Sequence, residues 1–284
     1  MNSSDKKLVL NELALGKSTE YRAVYNPKLL QSIPRALNRE ELNIVEKQPF
    51  VGKDVWHAYE LSWLNLKAKP QVALGRFIIN ADSLNIVESK SLKLYLNSFN
   101  QSQFESAQQV SQILQKDLSA VLNADIEIEL FSPDNLQALS LTALPGKCID
   151  DLDIEIDSFD LNSKLLHCDD QTTVDQEISE TLHSHLLKSN CLITNQPDWA
   201  SIVISYSGKK ISHEGLLRYL ISFRQHNEFH EQCVERIFMD ILKQCRPKKL
   251  TVHAMYTRRG GIDINPFRTT EREFEVPLSR VNRQ

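Results

Sequence analysis

Apolar residues along this chain follow two periods, and each half of the sequence uses both. Residues 71–80 (QVALGRFIIN) and 84–96 (LNIVESKSLKLYL) have the alternation and β-branched content of strands, with a polar turn at 81–83. Residues 102–122 predict a helix, because Phe104, Ala107, Val110, Ile113, Leu114, Leu118 and Val121 recur at steps of three and four. Residues 125–130 (DIEIEL) alternate again as a strand.

The second half repeats the order. Residues 201–207 (SIVISYS) read as a strand, and SGKK makes a turn. Residues 227–245 read as a helix with Phe229, Cys233, Ile237, Ile241 and Cys245 on one stripe, reinforced by Val234, Phe238 and Leu242. Residues 250–257 (LTVHAMYT) form the returning strand, which Arg258-Arg259-Gly260-Gly261 ends. Two copies of strand, strand, helix, strand indicate an internal duplication of architecture. Between them, residues 149–161 (IDDLDIEIDSFDL) alternate acidic and aliphatic positions. A strand with one solvated face accounts for this better than a metal site, since carboxylates at i and i+2 spread along a face instead of converging. The division falls within 160–190, giving domains of 1–160 and 161–284.

At 284 residues the chain suits two domains of ordinary size, and 41% hydrophobic with 25% charged residues is normal for a globular protein. A net charge of −4 gives no overall field favouring nucleic acid. The five cysteines form no CxxC pair and leave an odd count, as expected of free thiols in the reducing cytoplasm. The first 18 residues have no apolar run suited to a signal peptide, and no later run approaches the roughly 20 apolar residues of a membrane-spanning helix.

Candidate chemistry sits in four places. Cys191 is followed seven residues later by Asp198 in a Pro-anchored turn (SNCLITNQPDW), a possible thiol nucleophile with a proton-transfer partner. On composition alone a lone cysteine is more often a buried filler. Cys233 and Cys245, on an apolar helical stripe, belong to the core; Cys148 and Cys168 lack a comparable polar setting. His230-Glu231 opens the second helix, but Val234 stands where a second His would complete the zinc motif HExxH. This pair fits either recognition of a polar heterocycle, with the Glu accepting N–H hydrogen bonds, or a first-turn acid complementing the helix dipole. Glu88, in the tract Val87-Glu88-Ser89-Lys90, reads as a mid-strand acid, with Lys90 either its solvated neighbour or a phosphate contact. Arg258-Arg259-Gly260-Gly261 could clamp phosphate, though a charged strand exit with a glycine turn accounts for it as well. No GxGxxG follows a strand, so a dinucleotide would bind outside a Rossmann fold.

Taken together, four tracts resemble the QueF family of 7-cyano-7-deazaguanine reductases. They are ESKSLKLYLNSFN at 88–100, SNCLIT with QPDW at 189–199, NEFHEQCVERI at 227–237, and YTRRGG with DINP at 256–266. Similarity runs from the neighbourhood of Leu15-Gly16-Lys17-Ser18 to the C-terminus. The resemblance implies an α+β protein of two tandem tunnelling-fold (T-fold) domains, with antiparallel sheets and helices on one face, acting as an NADPH-dependent nitrile reductase. It implies Cys191 as the thiol that adds to the nitrile and Asp198 as proton donor. Val87, Glu88, Ser89, His230 and Glu231 map onto substrate binding; Ser89, Lys90, Arg259 and Gly260 map onto NADPH. No metal site is implied, and incomplete tunnel barrels imply a homodimer. Asn195 occupies a position where some relatives have His. Two other classes remain in view: a hydrolase forming an amide through the same thioimidate, and a non-catalytic purine-binding module.

Overall fold

The structure, a computed structural model, describes residues 23–44, 48–169 and 177–284. The tract around Leu15 lies outside them. The chain forms two compact units, each built mainly from one half of the sequence. The first comprises residues up to 45, 54–140 and 258–264; the second comprises 46–53, 141–257 and 265–284.

In the first unit, strands β1 (Ser32–Pro34) and β4 (Asn85–Val87) pair with each other. Strands β2 (Val51–Leu64), β3 (Pro70–Asn80) and β5 (Ile126–Phe131) form a sheet in the order β5-β3-β2, with β5 antiparallel to β3. Helices α1 (Ser89–Asn97) and α2 (Ala107–Leu122) cover one face. Trp56, Ala58, Phe77 and Ile79 of the sheet pack with Leu92, Tyr95 and Leu96 of α1 and Val110, Leu114, Leu118 and Leu122 of α2. Ser106 caps α2 by accepting from the Gln109 N–H, and Asn123 closes it in the left-handed region at φ +50°.

The second unit has the same plan. Strands β7 (Ile178–Asn190), β8 (Pro197–Gly208) and β9 (Lys249–Tyr256) run antiparallel in that order. Strand β10 (Ile262–Thr269), whose residues from Asn265 on belong here, lies beyond β9; β6 (Lys147–Cys148) adds a short parallel edge to β7. Helices α3 (His213–Ile221) and α4 (His230–Cys245) bury Leu216, Leu217, Leu220, Val234, Ile237, Phe238 and Ile241. Each unit is thus an antiparallel sheet with helices on one face, the α+β arrangement expected. Among the described residues no helix is long and apolar enough to cross a membrane.

Duplication reaches individual hydrogen bonds. In the first unit Asn26 accepts from the Lys28 N–H, and its own N–H donates to Ser98 Oγ; Asn162, Lys164 and Ser222 repeat this in the second. Tyr95 donates to Asp117 at 2.7 Å, and Tyr219 donates to Asp240 at 2.7 Å. Both β3 and β8 begin at a proline after a tight turn, with Ala68 (φ +58°) and Asn195 (φ +55°) in matching left-handed positions.

Several expectations need correction. Residues 84–96 are not one strand: pairing ends at Val87, and α1 starts at Ser89. The tract satisfies both periods, since Leu92, Leu94 and Leu96 alternate while Leu92, Tyr95 and Leu96 stand at helical spacing. Glu88 decides between them by capping the helix, so it is an N-cap and not a mid-strand acid. Helix α2 begins at Ala107 instead of 102. Residues 149–161 form no strand: burial does alternate, but among the described residues no ladder partner runs beside them. Instead, Asp150 is held by Ser184 Oγ at 2.6 Å and the His185 N–H at 2.9 Å. Strands β2, β7 and β10 and helix α3 were not anticipated. Buried polar residues break the pattern in β2: Asp54 pairs with Arg35 at 2.5 Å and His57 with Asp263 at 2.8 Å.

Candidate active site

Cys191 stands just past the end of β7, in the turn that leads to β8. Its N–H donates to Gln196 O at 2.8 Å, and its carbonyl accepts from the Asn195 N–H at 3.0 Å. Asn227 closes the turn from the other side, donating from Nδ2 to Cys191 O at 3.3 Å and to Asn195 Oδ1 at 2.9 Å. The thiol belongs to a half-buried residue, unlike Cys233 and Cys245, which are buried and whose thiols burial pushes up to about 12. Those two stay protonated at neutral pH, as core cysteines should.

Asp198 is the second residue of β8, paired in register with Ser189 and only 3% exposed. His230, at the start of α4, brings Nε2 to 3.5 Å from Asp198 Oδ1, and its ring lies 4.1 Å from that of Tyr256. Glu231 follows, buried in the first turn of α4. Asp198, His230 and Glu231 therefore meet where β8 passes the helix start, and Asn227 ties that segment to the Cys191 turn. Lys188, on β7, donates to Asn190 Oδ1 and Arg224 O at 2.6 Å each; burial and the neighbouring Arg224 lower its pKa.

The remaining candidates lie in the first unit. Val87 and Glu88 are buried, and Ser89 and Lys90 are half-buried in the first turn of α1. Both carboxylate oxygens of Glu88 accept backbone N–H groups, from Lys90 at 2.8 Å and from Ser91 at 2.7 Å. Burial raises its pKa more than these two bonds lower it. Arg259 and Gly260 form a two-residue-wide hairpin in which the Arg259 N–H and Ile262 O bond at 2.8 Å. Gly260 (φ +55°) and Gly261 (φ +76°) supply the left-handed backbone it needs. Lys93, one turn along α1 from Lys90, donates to Gly260 O at 2.5 Å and pairs with Glu60 at 2.8 Å. That contact joins α1 to the hairpin, and a small cavity opens there between Glu60, Lys93, Asn97 and Gly260. Arg258, Arg259, Lys90 and Lys93 on two linked elements suit an anionic cofactor in charge.

The two units differ where the chemistry is expected. By matching hydrogen bonds, Asn65 stands in the first unit where the second has Cys191, and Gln71 where it has Asp198. Ala107 and Gln108 stand for His230 and Glu231, and Ser212 caps α3 where Glu88 caps α1. Each repeat keeps one half of the candidate set. A larger groove of about 290 Å³ on β7–β9, lined by Ser179, Thr181, Ser205 and Lys249 among others, contains none of these residues.

Comparison with known families matches a separate model to each half of the chain. Residues 21–130 match the family described as "Nitrile reductase, 7-cyano-7-deazaguanine-reductase N-term", and residues 197–275 match the "QueF-like protein" family. Together these cover about two thirds of the chain. Matches of this kind in this order define an oxidoreductase of the nitrile reductase class with two tandem domains. The chain belongs to the QueF family, whose nitrile reduction serves queuosine biosynthesis. The substrate is accordingly a small-molecule nitrile and the reductant a nicotinamide cofactor. Asn227, Glu228 and Arg236 lie within a tract that resembles the family, but the sequence alone assigns them no role. The signal that could have exposed them is a pair of opposite charges, Glu228 and Arg236, eight apart across the helix start.

Proposed function

We propose that the protein reduces 7-cyano-7-deazaguanine to 7-aminomethyl-7-deazaguanine with NADPH, through a thioimidate on Cys191. The observation that carries this reading is Cys191, half-buried in a turn pinned by Asn227 at the end of the strand pair that holds Asp198, whose Oδ1 lies 3.5 Å from His230 Nε2. Cys191 Sγ adds to the nitrile carbon, and its proton passes by way of Asp198 to the nitrile nitrogen, giving S–C=NH. A nitrile is a poor hydride acceptor; the thioimidate carbon is a better one. When bound, NADPH supplies one hydride to that carbon and a second to the imine released as sulfur leaves. Asp198, reloaded from solvent, supplies protons to the nitrogen, and Cys191 departs as the thiolate. Burial of Asp198 and Glu231 limits water, which would hydrolyse a free imine.

In this reading Glu231 and His230 receive the N–H edge of the deazapurine, and Val87, Glu88 and Ser89 are likewise assigned to substrate binding. Ser89, Lys90, Arg259 and Gly260 receive NADPH. The protein is taken as a cytoplasmic homodimer, and its five free thiols suit a reducing compartment. The deciding experiment counts NADPH oxidised per amine formed from 7-cyano-7-deazaguanine. The expected ratio is two; product amide with no NADPH consumed would mean a hydrolase, and binding without turnover a purine-binding module.

A further prediction separates cofactor from substrate recognition. A charge-assisted hydrogen bond to phosphate is worth about 1.5–3 kcal/mol. Arg259→Ala should therefore raise the KM for NADPH about ten- to a hundredfold while leaving nitrile capture by Cys191 almost untouched. Glu231→Ala should weaken nitrile affinity and spare the KM for NADPH. Titration of the nitrile without NADPH, and NADPH dependence at saturating nitrile, measure the two. Damage to the same ligand by both variants would refute the division of labour.

A further inference from the structure

The duplicated chain contains its own control for the residues behind the Cys191 turn. In both units the strand that ends at the turn is held by the segment entering the second helix. In the first unit the Leu64 N–H donates to Ser102 O and the Phe104 N–H to Leu64 O, at 2.9 and 2.8 Å. In the second the Asn190 N–H donates to His226 O and the Glu228 N–H to Asn190 O, at 2.8 and 3.1 Å. Glu228 thus occupies the place of Phe104. Counting from the helix starts at Ala107 and His230, Arg236 occupies the place of Ile113.

Phe104 is buried in the apolar core of the first unit, and Ile113 packs against that core, partly buried. Glu228 and Arg236 instead form a forked ion pair: Arg236 Nε lies 3.1 and 3.0 Å from the two carboxylate oxygens, and Nη2 lies 2.7 Å from Oε1. His226 Nε2 adds a third contact at 3.1 Å. Glu228 is 3% exposed. Burial pushes its pKa up, but hydrogen bonds from His226 and Arg236 outweigh that and hold it below the ordinary value. An ion pair taken out of water is often no more stabilising than apolar residues of similar volume. The first unit has an apolar residue at each of the two places, so packing alone does not require the charges.

We infer that the Glu228–Arg236 pair, with His226, is a positioning device that fixes the Asn190–Cys191 backbone and aims the thiol. The fork sets the place of residue 228; the 228 N–H and 226 carbonyl fix Asn190; Asn227, between them, grips Cys191 O and Asn195. An apolar pair fills the space but has no direction, whereas a bidentate fork defines one. Neither residue needs to touch the substrate. The inference rests on Cys191 being the nucleophile.

The test is to copy the first unit into the second. The double variant Glu228→Phe/Arg236→Ile should fold with a melting temperature within a few degrees of wild type. Its kcat for nitrile reduction and its rate of covalent capture without NADPH should both fall about ten- to a hundredfold, the scale of a misplaced reacting group. KM for nitrile and for NADPH should change less than about threefold. A folded double variant with wild-type kcat and capture rate overturns the inference, as does a loss confined to KM. Should the double variant unfold, Glu228→Gln and Arg236→Lys carry the test. Glu228→Gln, which keeps shape but loses the charge pair, should slow capture, and Arg236→Lys should recover only part of the rate; wild-type capture in both overturns the inference. Reduction that persists in Cys191→Ala would instead refute the nucleophile, whatever the pair does.

Discussion

Cys191→Ala should form no covalent adduct with 7-cyano-7-deazaguanine and should lose nitrile reduction by on the order of a thousandfold or more, as expected when a covalent nucleophile is deleted. Intact mass spectrometry in the absence of NADPH should show wild-type protein gaining the mass of the nitrile and the variant gaining nothing. The other four thiols make the assignment sharp. Cys233 and Cys245 are buried with thiols held near 12, and burial also raises Cys168, whose Sγ rests 3.6 Å from Cys245 O. Cys148 is exposed on the two-residue edge strand β6 and has no place in the β7–β8 turn. Cys233→Ala should therefore retain the adduct. An adduct that survives in Cys191→Ala, or one mapped by proteolysis to Cys233, would move the nucleophile elsewhere and take the thioimidate reading with it.

What could be read from sequence depended on how local each determinant is. Helices α2 and α4, the strand at 71–80 and the strands at 201–207 and 250–257 show in their own periodicity, because each buries one continuous apolar face. Strand β2 does not, because its inward polar residues Asp54 and His57 are satisfied by Arg35 and Asp263, 206 residues away in the second case. Helix α1 was hidden for a different reason: its apolar spacing fits both periods, and the choice rests on a Glu88 side chain turning back onto two N–H groups. The acidic tract at 149–161 shows the converse. Alternating burial there needs only an extended chain lying on a surface, and says nothing about whether a strand runs beside it.

The duplication was visible as element order, yet a more local trace was present in Asn26-Pro27-Lys28-Leu29-Leu30 and Asn162-Ser163-Lys164-Leu165-Leu166. In the structure both asparagines cap a short 3-10 turn, and just past each turn a backbone carbonyl, Gln31 O or His167 O, accepts from the N-cap residue of a helix, Glu88 or Ser212. Cys191, Asp198, His230 and Glu231 were legible as residue types and by resemblance. Their gathering by the β7–β8 turn and the start of α4 was not, since it depends on the 190–227 pairing between segments 37 residues apart.

Asp198→Asn should slow thioimidate formation by roughly a hundredfold or more, the usual scale for a positioned acid or base. The substitution keeps the shape of a side chain that is 3% exposed at its β8 position, opposite Ser189, so packing and nitrile affinity should be nearly unchanged. In the proposed mechanism it removes the group that takes the Cys191 proton and delivers it to nitrogen. An amide cannot perform that transfer, and it also replaces the group whose Oδ1 stands 3.5 Å from the His230 imidazole. The effect should appear in the single-turnover rate of capture, measured by quenched mass spectrometry across a range of nitrile concentrations. Saturation should occur at the wild-type concentration, with only the plateau rate lowered. A variant that captures and reduces the nitrile at the wild-type rate would make Asp198 a turn residue, buried for structure alone. A variant whose capture rate recovers simply by raising the nitrile concentration would make it a binding group, and the proton path would then have to be sought at His230.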